Sequence, residues 1–391
     1  MPVTSPHPTR PSSRFRLRTP WRAVAAMFVL NGALFGIWAS RIPAVADSHG
    51  LTPGALGLLL LLMAAGAILS FPLAGRAADR MGAAHVTRRV ALAYVLGLVL
   101  LALAPSLPLL AAALFVFGAA HGSMDVAMNA WASEVEKRAG RPMMSSFHAM
   151  FSLGAGLGAL SGYGAASVGA EIPLHFLLAG GIAALLTLSV AQIPWTADPA
   201  PKNPMTKPSL LPRGPLVAVG FVAFCGAVGE GAMADWSAIF LVLTTGASEA
   251  DAALGFAVFS VAMVAMRLIG DLVVARLGAV SAARMAGASA CLGALIAVVF
   301  GSYAAAMIGF ALMGIGYALV MPLAFSRAAS DPELPAGAAI ASVATFGYGG
   351  ILIGPPMIGI TAELLSLPAA FVILAALSAF IVIFSTVLKH S

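Results

Sequence analysis

Twelve apolar runs of membrane-crossing length follow one another along this chain, near residues 22–45, 54–76, 89–104, 107–132, 143–168, 172–193, 214–244, 250–274, 280–300, 302–326, 337–361 and 367–388. About 20 apolar residues carry a helix across a bilayer. The third and fourth runs are split only by Ala104-Pro105-Ser106-Leu107-Pro108, where proline favours a turn over one long helix. The chain is 60% hydrophobic and 9% charged. A soluble domain carries about 25% charged residues, so most of this apolar surface must face lipid. The expected fold is an all-α integral membrane protein of 12 transmembrane helices.

The basic residues fix the direction of the spans. With the amino terminus inside, 19 of the 21 Lys and Arg fall on the inner side, and the other two, Arg41 and Arg267, fall within spans. Arginine and lysine are retained on the cytoplasmic side, so both termini are expected to be cytoplasmic. The arginines before residue 23, followed by Ala44-Val45-Ala46, also fit a secretory signal. The first run is long for a signal core, and more spans follow, so it reads as an uncleaved helix. The net charge of +6 is scattered over short loops, which excludes a nucleic-acid-binding face. Cys225 and Cys291 lie in apolar runs, which argues against a disulfide framework.

The chain divides in two. Residues 1–21 read as a cytoplasmic tail, 22–193 as a first six-helix bundle, 194–213 as a proline-rich cytoplasmic linker, 214–388 as a second bundle, and 389–391 as a carboxyl-terminal tail. Trp38 aligns with Trp236, Leu56-Gly57-Leu58 with Leu254-Gly255-Phe256, and Arg80-Met81-Gly82-Ala83 with Arg276-Leu277-Gly278-Ala279. The offset is close to half the chain throughout, so two pseudo-symmetric bundles are expected. Gly154, Gly158 and Gly162 share a face of the fifth span, and Gly350 and Gly354 repeat the spacing. Such faces admit a neighbouring backbone and are expected also to slide as the halves rock.

Ionisable residues inside a span are candidate sites by default. On the fourth span His121, Asp125 and Asn129 recur every four residues and share a stripe. His148 begins the fifth span, and Asn31 lies at similar depth on the first. Asn31, Asp125, Asn129 and His148 are therefore expected to form a polar cluster facing a central cavity. A carboxylate away from water can carry a proton, and a nearby histidine can share it, so Asp125 and His148, with Glu230 on the seventh span, are the proton-coupling candidates. The bland alternative is a buried polar network that only fixes helix packing. Trp38, Trp236, His121, Asn31, Asn129 and Tyr317 are the candidates to touch substrate, with interfacial anchoring as the alternative for the tryptophans. Arg41 is expected to pair with Asp235 or Glu230 in an outer gate, or else to snorkel outward. Arg267 and Asp271 are spaced for an ion pair on the eighth span.

The connection between spans two and three carries Gly75, Asp79, Arg80, Gly82, Arg88 and Arg89. It resembles the signature loop of the major facilitator superfamily, Gly-x-x-x-Asp-Arg-x-Gly followed by basic residues. Arg267, Gly270, Asp271, Arg276 and Gly278 look like its degenerate second copy. Of these, Gly75, Asp79, Arg80, Gly82, Arg88, Arg267 and Asp271 join Arg41 and Asp235 as gating candidates. The stretches Trp38-Ala39-Ser40-Arg41-Ile42-Pro43, Met124 to Asn129, Ser145 to Gly154 and Glu230 to Trp236 resemble the YbjJ-like branch of bacterial inner-membrane transporters, distantly similar to fucose permease. In that permease a fourth-span carboxylate faces the cavity, where Asp125 stands here; its first-span carboxylate is replaced by the neutral Asn31. The resemblance implies a secondary transporter working by alternating access, with a small-molecule substrate, protons and membrane lipid as partners, no nucleic acid, no cofactor, no metal and a monomeric state. Proton-coupled symport of a sugar or related metabolite is the leading expectation, and a proton-antiport drug or metabolite exporter the alternative. An enzyme is not expected, since the sequence has no phosphate-binding P-loop and no nucleophile elbow.

Overall fold

The computed structural model describes residues 19–140, 143–196, 212–334 and 336–389. Most of the expected linker and the amino-terminal tail therefore lie outside the described residues. Thirteen α-helices fill the described chain: α1 (Pro20–Ser40), α2 (Ile42–Ser48), α3 (Pro53–Met81), α4 (Ala83–Ala102), α5 (Leu107–Ala139), α6 (Met144–Ser167), α7 (Ile172–Ala191), α8 (Leu216–Phe240), α9 (Glu249–Leu277), α10 (Ala279–Phe300), α11 (Tyr303–Ala329), α12 (Ala336–Leu364) and α13 (Leu367–Phe384). Eleven helical spans are long and apolar enough to cross a membrane. The twelfth is α6, whose glycines and serines dilute its hydropathy. The first run breaks at Arg41, so α2 is a short appendage and spans two to twelve are α3 to α13.

Local chemistry sets the helix ends. Thr52, Ser248, Ser302 and Ser366 each accept a hydrogen bond from a backbone N–H three residues on, which satisfies an otherwise orphaned donor. At the opposite, basic face, α3 ends on Gly82 at φ +87° and α9 on Gly278 at φ +76°. These matched glycines take a backbone angle that other residues resist. The signature stretch is thus no loop: it stays helical through Met81, and only Gly82 turns. Gly75 sits inside α3.

In the first half α1 packs on α6 and α7, and α3 and α4 pack on α5; in the second, α8 packs on α11 and α12, and α10 on α11 and α13. The halves meet along α6 with α9 and α3 with α12. Glycines allow the closest approaches. A Cβ on Gly118 would strike the Met63 carbonyl oxygen, and one on Gly154 or Gly158 would strike the carbonyl of Val29 or Ala33. The Gly154, Gly158 and Gly162 stripe therefore binds α1 within one half, and Gly350 backs onto α8 within the other. That corrects the expectation that these faces slide between halves. The seam between halves uses Gly156, which faces Ser260, and Gly57, which faces Gly359.

Candidate functional site

A cavity of about 830 Å³ lies between the halves. It runs from Phe35, Asp235 and Phe256 at one end to Met144, Ser145, Ala275 and Ser326 near the basic ends of their helices. The far end is closed by ties between halves. Arg41, 3% exposed, places its Nε 2.8 Å from Glu249 Oε1 and donates from Nη2 to the Ala170 carbonyl at 3.0 Å. The Gly54 N–H, at the start of α3, donates to Glu363 Oε2 of α12 at 3.0 Å. Arg41 thus pairs with neither Asp235 nor Glu230; its partner opens α9.

The expected polar cluster divides: Asp125 and His148 reach the cavity wall, and Asn31 and Asn129 do not. Asp125 lies on the cavity wall. Asn129 Nδ2 donates to the Asp125 carbonyl at 2.9 Å and to its Oδ1 at 3.0 Å. Asn129 thus acts through Asp125 and is not itself on the wall. His121 is on the wall, with Nδ1 2.9 Å from the Tyr94 hydroxyl and its ring stacked on Phe35 at 5.2 Å. His148 is on the wall, edge-on to Phe28 at 5.4 Å. Asn31 is not: it is fully buried, its Nδ2 3.5 Å from Met128 Sδ.

Arg267 crosses the seam. From α9 it donates to Ser152 Oγ at 2.6 Å and to the His148 carbonyl at 3.5 Å, both on α6. Its Nη2 also reaches Glu230 of α8, 3.2 Å from Oε1 and 3.4 Å from Oε2. The expected pair with Asp271 is replaced by this three-helix knot, and Asp271 stands separately on the wall. Asp235 lines the cavity at 5% exposure, and it has no hydrogen-bond or ion-pair partner among the described residues.

Three expected substrate contacts lie in packing instead. Trp38 and Trp236 are fully buried and off the cavity wall; Trp38 packs on Phe117 at 6.3 Å. Tyr317 shares a hydrogen bond with Ser378 at 2.8 Å, and its ring fills the space that a Cβ on Gly229 would need. In the signature stretch, Asp79 and Arg80 are exposed, and Asp79 makes no ion pair among the described residues. Arg88 donates to the Ala191 and Ile193 carbonyls at 3.1 and 3.2 Å and lies over the Trp131 ring at 5.5 Å, which pins the end of α7 to α4.

Sequence reasoning missed Tyr348, which lines the cavity from α12 with its ring 4.8 Å from Phe71 of α3. It also missed Ser152 and Glu249. Ser152 stands four residues after His148 on one helix face, a spacing that carried the signal; Glu249 opens α9 directly after the capping Ser248, outside the apolar runs in which ionisable residues stand out.

Two six-helix halves wrapped around one cavity, with ionisable groups on its walls, define a multi-pass membrane transporter rather than an enzyme. A family model described as Major Facilitator Superfamily matches residues 23–336, and the chain belongs to that family. It is 47% identical over 375 residues to the transporter y4wD of Sinorhizobium fredii, covering 96% of this chain and 100% of that one. It is 39% identical to an MFS-type transporter of Yersinia pestis, over 88% of this chain and 89% of the relative. The membrane protein MosC of Rhizobium meliloti is 32% identical, over 90% and 86%. Among solved structures, a variant of the nucleoside transporter NupG shares the fold with a TM-score of 0.77 at 12% identity, over 95% of this chain and 100% of that one. An inward-facing bacterial homologue of the lysosomal transporter Spinster gives 0.69 at 16%, over 94% and 95%.

Proposed function

We propose that this transporter is a proton-coupled symporter that moves a small polar solute, a sugar or related metabolite, across the bacterial inner membrane by alternating access. The observation that carries the reading is Asp125. It is an ionisable group on the wall of a central cavity, steadied by Asn129 from within its own helix. Crossing a membrane with a bare carboxylate is expensive; a proton that boards with the solute removes that charge. The cavity volume suits a small metabolite, since ligand pockets run from about 300 to 1,000 Å³. The Arg41–Glu249 and Gly54–Glu363 ties hold shut the face opposite the basic loops. On the distribution of arginine, the basic face is the cytoplasmic one, and the cavity opens toward it. The Arg267–Glu230–Ser152 knot holds α6 to α9 in this state and must re-form differently when the cavity faces the other way.

Proteoliposomes loaded with a pH-sensitive dye test the coupling. A solute found by thermal-shift screening of sugars, polyols, nucleobases and amino acids is expected to drive proton movement with it, and Asp125→Asn is expected to abolish that movement while solute exchange continues. Equal accumulation by the variant would take the coupling role away from Asp125, and solute movement with no proton movement in the unaltered protein would make it an uncoupled facilitator. The Met and Phe side chains on the wall, among them Met63, Phe71, Met128, Phe151 and Met263, favour one second reading, an exporter of apolar compounds by proton antiport. Protons moving against the solute rather than with it would establish that reading.

A further inference from the structure

We propose that the transported solute carries a protonated amine, and that Asp235 at the closed end of the cavity is its anchor. The charge inventory of the walls leads there. Four carboxylates line the cavity: Asp125, Glu230, Asp235 and Asp271. One basic side chain of fixed charge lines it, Arg267, and Glu230 and Ser152 already hold its guanidinium. An anionic solute would find no unengaged cation among these wall residues and three further carboxylates to repel it.

Asp235 differs from the other three. Asp125 accepts from Asn129, Glu230 is paired, and Asp271 lies on α9 toward the basic, open face. Asp235 is 5% exposed, and its Oδ1 is buried without a donor among the described residues. A buried carboxylate without a partner is costly, and a hydrogen-bonding cation at short range offsets that cost. A neutral hydroxyl supplies a donor but leaves the charge in place; an ammonium supplies donors and cancels it. The same end of the cavity carries Phe35 and Phe256, from opposite halves, edge-on at 6.3 Å. Aromatic rings lining the same cavity as an unpaired carboxylate favour a cation over an uncharged group.

The assignment rests on the transport reading and divides the labour within it: Asp125 takes the proton and Asp235 the amine. The test uses matched probes on the purified full chain: glucosamine against glucose, and ethanolamine against ethylene glycol. Thermal stability is read at neutral pH. The amine of at least one pair is expected to raise Tm by more than about 2 °C and its neutral partner not to. Asp235→Asn is expected to remove the difference and Asp235→Glu to keep part of it; the unliganded Tm of each variant reports its folding. Equal shifts within the pairs, a shift that survives Asp235→Asn, or no shift from either amine would overturn the proposal. Asp125→Asn separates the two readings: amine discrimination that persists while proton movement stops supports both. Proton movement that persists in that variant removes the coupling role of Asp125 and leaves the amine anchor standing.

Discussion

Asp125 and Asn129 stand one helical turn apart, and the amide of one donates to the carboxylate of the other. Asn129→Ala is therefore expected to change the pH at which coupled transport is half-maximal, with little effect on folding, as measured by uptake across a pH series. Glycine positions predict the opposite balance. Gly118→Val places new atoms against the Met63 backbone, which cannot swing aside, and overpacking of this kind costs about 1–3 kcal/mol. A lowered Tm in detergent, with little folded protein recovered, is the expected result. The wall residues that sequence did reveal, Asp125, His121, His148, Glu230, Asp235, Arg267 and Asp271, share one property: each is ionisable within an apolar run. Asn31, Trp38, Trp236 and Tyr317 were assigned to the cavity and lie in packing. A helix apolar on every side gives no stripe from which to read direction, so depth along the span was legible and rotation about its axis was not. Tyr348 was invisible for the same reason.

At the level of helices, the break between α1 and α2 puts Arg41 where it spans to the first turn of α9. Pseudo-symmetry pointed to α8 as the partner, because matched positions reveal which helices meet at the axis but not how far each is turned. Arg41→Ala and Glu249→Gln are each expected to loosen the closed face, and the double variant by no more than Arg41→Ala alone, since both remove the same tie between the halves. A cysteine at Phe35, in a background with Cys225 and Cys291 replaced by serine, would then label faster from that side. Identical labelling rates would show that the tie contributes nothing to closure. The glycine stripe on α6 is a packing face whose partner carbonyls belong to α1, in the same half.

Across the whole molecule, the number of spans and their repetition were written in the succession of apolar runs. Which face is closed was not, because one sequence must serve both arrangements of the halves. The α3–α12 seam offers a way to bias them. A Cβ on Gly359 would lie 2.6 Å from the Pro53 carbonyl oxygen and 2.9 Å from the Gly57 Cα, across the seam. Gly359→Val is therefore expected to fold normally, unlike Gly118→Val, and to favour the state in which that face is parted. Spin labels on the exposed Gly50 and Leu365, which flank the seam on that face, would report longer separations, and net transport would fall.

Four prolines interrupt helices beside the cavity: Pro72 in α3, Pro322 in α11, and Pro355 and Pro356 in α12. Proline has no N–H, so the carbonyl four residues earlier loses its helical donor. For Pro72, Pro322 and Pro355 those carbonyls belong to Ile68, Ala318 and Ile351, and all three residues line the cavity. The helix ladder is thus interrupted at three residues of a wall that looks uniformly apolar by its side chains. Because these are main-chain gaps, an alanine scan of Ile68, Ala318 and Ile351 leaves each of them in place; only replacing the prolines restores the missing donors.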